Sequence, residues 1–237
     1  DALVDGAIYS VKIEYQDVVG NTAASVTNTN FTYDLTTVDP TLATPAASSA
    51  DNATIDIDFT LPEAASSGTV KMTFTHTSGT ADGNAPHIIT FTSDFETASQ
   101  HTTTLTGTDL SVNANVLSVN TNTNDALVEG AIYSVTIEYQ DVVGNTAASV
   151  TNTNFTYDLT TAAPTLATPA ENSIDNGTLA IDFTLPEAAS SGTVKMTFTR
   201  TGGANDANAP HIITFNSNFE TAAQHTSDLD GSDLGAN

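Results

Sequence analysis

The sequence predicts an all-β protein made of tandem two-sheet sandwich modules of about seven strands, on three observations. Apolar and polar residues alternate at period two along most of the chain. Clusters of Gly, Pro, Asn, Asp and Ser break these runs at short intervals. The whole pattern then returns after 124 residues, a spacing far longer than a solenoid unit and close to that of a compact domain with its own core.

The strands follow from the alternation. Residues 54–61 place Ile55, Ile57, Phe59 and Leu61 on one face and Asp56, Asp58 and Thr60 on the other. Residues 69–75 turn Val70, Met72 and Phe74 inward, and residues 87–92, 115–119, 7–15 and 23–33 have similar texture. Outward acids such as Asp56 and Asp58 are expected to discourage sideways pairing between modules. No stretch carries a helical stripe over three turns.

The repeat sets the frame. Asp1-Ala2-Leu3-Val4 returns as Asp125-Ala126-Leu127-Val128, and 89 of the 113 pairs in residues 1–113 and 125–237 are identical without a gap. The Thr-rich, Pro-containing stretch from Asp34 to Thr41, repeated from Asp158 to Thr165, reads as a short extended connector. On that reading residues 1–37 are the end of one module, 38–161 a whole module and 162–237 the start of a third. The expectation is a window onto a longer array.

Four Lys and Arg against 28 Asp and Glu leave a net charge of −24. Such a surface repels nucleic acid and anionic lipid, and it either keeps a long protein soluble or collects divalent cations. The chain has no cysteine, which excludes disulfides, thiolate zinc sites and cysteine nucleophiles. No apolar run approaches the roughly 18 residues of a membrane span. Thr-rich, uncharged polar surfaces suit secreted β-proteins, so an extracellular or cell-surface location is expected.

One segment carries a family resemblance. Leu3, Gly6-Ala7-Ile8-Tyr9-Ser10-Val11-Lys12-Ile13-Glu14-Tyr15 and Asp17-Val18-Val19-Gly20-Asn21 recur from Leu127 through Asn145. They resemble the late-strand signature of bacterial immunoglobulin-like and fibronectin type III-like repeats. Tyr33-Asp34-Leu35-Thr36-Thr37 before Pro40-Thr41 is similar to the joint of giant surface adhesins. The resemblance covers the last third of the module and its connector, and the core tryptophan common in those families is missing. It implies that the hydroxyls of Tyr9 and Tyr133 tie down the preceding corner. It also implies that Gly20, Asn21, Gly144 and Asn145 make the turn into the last strand. The further implication is joints stiffened by calcium.

A hard cation wants six to eight oxygen ligands. EF-hand and glycine-rich nonapeptide spacings are absent, which leaves Asp17, Asn21 and Asp34 with their copies Asp141, Asn145 and Asp158 as candidate calcium ligands. The alternative is that Asp17 and Asn21 only satisfy turn backbone. Asp39 would add to such a site, yet its copy is Ala163. Asn30, Asn52, Asn154 and Asn176 head glycosylation sequons. His76, His87, His101, His211 and His225 show no metal spacing and are expected at solvent-facing or strand-edge positions. Nucleophile-elbow, phosphate-loop and metalloprotease motifs are absent, so no enzyme is expected.

The function read from the sequence is a spacer or stalk segment of a long extracellular fibre, with neighbouring copies of the module as its partners. A carbohydrate- or surface-ligand-binding module is the first alternative, disfavoured by the lack of an exposed aromatic row. A laterally self-associating or strand-exchanging filament subunit is the second.

Overall fold

The computed structural model describes residues 1–120 and 125–234. It is all-β and forms two compact units, Asp1–Thr160 and Thr161–Asn237.

The first unit begins with an antiparallel hairpin of β1 (Ala7–Tyr15) and β2 (Ala24–Tyr33). The strands β3 (Thr41–Thr44), β4 (Ala50–Asp51), β5 (Thr54–Thr60), β6 (Lys71–Gly79), β7 (His87–Phe91), β8 (Gln100–Thr106), β9 (Val116–Val119), β10 (Ala131–Tyr139) and β11 (Ala148–Tyr157) follow. They form a three-stranded sheet in the order β3-β5-β8 and a six-stranded sheet in the order β4-β11-β10-β6-β7-β9. Nine strands therefore stand where about seven were expected. β9, the edge beside β7, coincides with the run at residues 115–119, and the strands without such a run are β3, β8 and β4, the last a two-residue parallel rung against β11.

Alternation builds the core. In β5, Ile55, Ile57 and Phe59 are buried; in β10, Ala131, Tyr133, Val135, Ile137 and Tyr139 are buried with half-covered residues between them. The inward faces of the two sheets share one apolar cluster. Phe59 of the smaller sheet lies 5.5 Å from Phe91 of the larger, and Phe95 stacks on Phe91 at 5.0 Å. At about 25 cal/mol per Å² of apolar surface removed from water, these aromatics carry much of the drive for closure.

The second unit repeats the first at the same offset. Its strands are β12 (Thr165–Thr168), β13 (Thr178–Thr184), β14 (Lys195–Phe198), β15 (His211–Thr214) and β16 (Gln224–Asp230). The sheet β12-β13-β16 copies β3-β5-β8, and β14-β15 copies β6-β7.

Tyr133 locks the start of β10. Its hydroxyl accepts the N–H of Val128 at 2.9 Å and donates to Asp82 at 2.7 Å, while His87 Nε2 lies 2.9 Å from the same carboxylate oxygen. All three side chains are buried. Burial opposes ionisation of Asp82, but hydrogen bonds from Tyr133, His87 and the Asn84 N–H outweigh it and hold the carboxyl below its usual range. Burial and the facing carboxylate push the Tyr133 phenol far up, so it remains a donor. Tyr9 repeats the bond to its own corner, accepting Val4 N–H at 2.8 Å.

Three histidines contradict the surface expectation. His87, His101 and His225 are buried, His101 against Phe59 and Phe95, and His225 against Phe183 and Phe219. Each ring packs at a tilt against its phenyl neighbours and satisfies a nitrogen on a backbone carbonyl, which lowers the cost of burying it; His101 Nε2 lies 2.8 Å from Thr97 O, and His225 Nε2 2.8 Å from Thr221 O.

Removing one hydroxyl tests the lock. Tyr133→Phe should cost about 1–3 kcal/mol in urea unfolding, since it strips a buried carboxylate of a donor, and Tyr9→Phe should cost clearly less. Equal costs would show that the Asp82 network adds nothing.

Candidate metal centre

The turn from β10 to β11 organises the site. Asp141 Oδ1 accepts the N–H groups of Val143, Gly144 and Asn145 at 3.0, 2.8 and 3.1 Å, closing the loop around one carboxylate oxygen. Gly144 sits at φ +91°, a backbone conformation side chains resist. The other oxygen, Oδ2, accepts the Asn145 amide at 2.7 Å and the Thr37 hydroxyl at 3.1 Å. Asp141 is only 1% exposed.

Thr37 belongs to the connector, and the connector is held from both sides. Downstream, Asn145 Nδ2 donates to Asp34 at 3.1 Å, Tyr139 O–H donates to Val38 O at 2.6 Å, and Val38 N–H donates to Glu63 at 3.3 Å. Upstream, Asp5 accepts Leu35 N–H at 2.7 Å and the Thr36 hydroxyl at 2.9 Å. Glu129 makes the same pair of bonds to Leu159 and Thr160, so one extra methylene is accommodated. The loop carrying Glu63 is itself pinned to the turn, with Ser66 O–H donating to Asp141 O at 2.5 Å and Val142 N–H donating to Ala64 O at 3.2 Å.

Asp34, Glu63 and Asp141 each bring one carboxylate oxygen within 4.8 Å of the others. Burial pushes the Glu63 carboxyl up, and repulsion from Asp34, Asp141 and Asp5 adds to it against the single Val38 N–H. Asp141 lies below its ordinary value of 3.8 because hydrogen bonds, led by those from Asn145, overcome its desolvation. The Asn145 amide nitrogen stands between the carboxylates of Asp34 and Asp141, the place of a positive partner. Rotating that amide by half a turn would replace the N–H₂ group by oxygen. Three carboxylates and one amide oxygen would then face the same point, a donor set that fits a hard cation completed by water.

Of the six residues expected as ligands, the structure brings together Asp34, Asp141 and Asn145. Asp17 and Asn21 make the same turn, with Asp17 accepting Val19 and Asn21 N–H and the Asn21 amide. Hydrogen bonds led by the Asn21 N–H hold Asp17 below its usual range. Asp158 accepts Thr160 N–H at 3.2 Å. Asp17 and Asp158 join no carboxylate grouping among the described residues, and Asp39 stays outside the cluster. Glu63 was not read from the sequence. Its copy Glu187 accepts Ala162 N–H at 3.1 Å, so its contact with the connector recurs.

The sequon asparagines Asn30, Asn52, Asn154 and Asn176 are all exposed. Asn30 and Asn154 adopt φ of 63° and 61° at the bulge of their hairpins, where asparagine tolerates a left-handed backbone. That position gives them a backbone role independent of any glycan.

No family model, curated protein or solved structure matches the chain.

Asp141→Ala should lower stability by about 3 kcal/mol, because it leaves turn amides and the Thr37 hydroxyl without their acceptor. The folded carboxyl is depressed, so its stabilisation is present above the ordinary value of 3.8 and is lost as pH falls through the folded value. Thermal melts of the wild type should therefore drop below about pH 4, with a smaller drop in the variant. Parallel acid profiles would show that Asp141 does not supply the term.

Proposed function

We propose that this chain is a spacer segment of a long extracellular array of immunoglobulin-like modules, in which calcium reinforces the joint between neighbours. The connector supports this reading most strongly. A flexible tether would leave Asp34 to Val38 in solvent. Here Asp5 holds Leu35 and Thr36, while the following module holds Asp34, Thr37 and Val38. A joint bonded at each of five successive residues transmits orientation as well as tension.

The chemistry of the joint suits cation reinforcement. Asp34 and Glu63 keep partial exposure, which leaves room for water ligands, while Asp141 is preorganised and ionised. Calcium would neutralise the repulsion that raises Glu63 and bind the connector to the turn through shared oxygens. The acidic surface keeps neighbouring modules from collapsing on one another, and the exposed sequons stay available to glycan attachment in a secreted setting.

Calcium titration followed by thermal melting tests the joint. Stability should rise with calcium and much less with magnesium, whose small rigid octahedron this open set does not match. Glu63→Gln should abolish the calcium response while leaving the metal-free stability unchanged or higher, because its folded carboxyl is raised by burial and by its carboxylate neighbours. The calcium increment should shrink as pH falls and Glu63 takes up a proton. An unchanged melt in calcium and chelator would remove calcium from the account, and specific binding on a glycan array would replace the spacer reading with a recognition module.

A further inference from the structure

The two sheets of the β3–β11 module end in the edge strands β3, β8, β4 and β9. The fold blunts all of them except β8. In β3 the carbonyls of Leu42 and Pro45 accept the Asn152 amide at 3.0 and 2.8 Å. β4 is two residues long, and β9 carries a register shift opposite Thr90 and Phe91. Capped, short or bulged edges give another strand no ladder to join.

β8 keeps one register with β5 from Gln100 to Thr106, without a bulge. Leu61 N–H donates to Ser99 O and Gly107 N–H to Ala53 O at the two ends of this ladder, so the odd-numbered residues of β8 bond to β5. By the alternation of an antiparallel pair, the backbone groups of Gln100, Thr102 and Thr104 point the other way. Among the described residues they meet no strand, and Thr104 O receives only the Thr103 hydroxyl at 3.4 Å. Farther along, Thr106 N–H is taken by Asn113 at 2.9 Å. Thr102 and Thr104 are exposed.

The composition of this edge is as unusual as its geometry. In a chain of net charge −24, β8 reads Gln-His-Thr-Thr-Thr-Leu-Thr, with no acid, no lysine or arginine and no proline. Its copy β16 reads Gln-His-Thr-Ser-Asp-Leu-Asp, so Asp228 and Asp230 stand where β8 has Thr104 and Thr106. Charges at such positions discourage a further strand, and β8 lacks them.

We propose that the free edge of β8 pairs with β8 of a second copy of this chain, antiparallel about a two-fold axis, joining the smaller sheets of two modules into one. An axis through Thr102 sets Thr102 opposite Thr102 and Gln100 opposite Thr104, so every unpaired backbone group meets its complement. Facing threonines are a favourable cross-strand pair. An axis through Thr104 would instead require the Thr106 N–H that Asn113 already holds. Gln100 Nε2 donates to both oxygens of Asp58, at 2.9 and 3.0 Å, which draws that side chain back over β5.

Charge selects this edge for self-association. Asp56 and Asp58 lie on β5, one strand behind it. In the pair the two β5 strands stand three strand spacings apart, about 14 Å. That exceeds the roughly 8 Å screening length at physiological salt, so the acids oppose the contact weakly. The contact is strand addition, and its isologous form closes as a dimer of modules. None of its residues belongs to the connector or to the Asp34, Glu63 and Asp141 grouping, so failure of the calcium experiments would leave it untouched.

Because the chain has no cysteine, one introduced thiol reports the contact. Paired strands hold facing Cα atoms about 5.5 Å apart, within disulfide reach. Mildly oxidised Thr102→Cys should therefore form a cross-linked homodimer about tenfold faster or more than Thr75→Cys, an exposed control on β6, since a held pair reacts at a higher effective concentration. The unmodified chain should sediment as a monomer–dimer equilibrium that moves toward dimer as salt rises, because screening relieves the repulsion between two acidic chains. Thr104→Asp, which copies the residue at 228, should return cross-linking to the control rate and sedimentation to monomer while the thermal melt stays in place. A chain that is monomeric at every concentration and salt overturns the proposal. So does a Thr102→Cys rate no higher than the control, a dimer that weakens as salt rises, or a dimer that survives Thr104→Asp.

Discussion

The Asp141 carboxylate is the interaction on which the joint depends. A buried charge is costly unless its lone pairs are all engaged. Here three backbone amides take one oxygen, and Asn145 and Thr37 take the other. The first set shapes the β10–β11 turn, and the second reaches into the connector. The carboxylate therefore links the local geometry of one turn to the path of a segment more than a hundred residues away in sequence. Glu63, Tyr139 and Asn145 can act on the connector because that turn is already fixed.

The near-identical copies separate what sequence dictates from what packing adds. β1 and β10 carry almost the same residues and adopt the same hairpin register, bulge included. Alternation and turn chemistry are thus sufficient for the local structure. Burial differs completely, since β10 has β6 and the opposing sheet against it whereas the inward face of β1 is exposed. The Asp-Val-Val-Gly-Asn turn shows the same division: Asp17 satisfies its amides as Asp141 does, and the bond from Asp141 to the Thr37 hydroxyl is a tertiary addition to that local pattern.

Much of the fold was legible because strands with alternating large apolar residues announce their inward face, as β5, β6 and β10 do. β8, with the sequence Gln-His-Thr-Thr-Thr-Leu-Thr, was quiet because its inward residues include His101, which a hydropathy pattern treats as polar. The burial of His87 had a signal: it lies two and four residues before Ile89 and Phe91, in phase with the buried face. Two-residue β4 has no period to detect. At the joint, Asp34 and Asp141 could be placed at one end of the sheets by their positions at strand ends. Glu63 could not, because its approach depends on how the loop after β5 folds against the end of β10, a long-range contact with no local spacing.

The connector is a locked joint. A pair of spin labels at Ser25→Cys on β2 and Thr102→Cys on β8, both exposed and in a cysteine-free chain, measures it across the connector. A locked joint gives a single narrow distance distribution that broadens when Asp141→Ala is added. A broad distribution in the otherwise native chain, unaltered by that substitution, would contradict it.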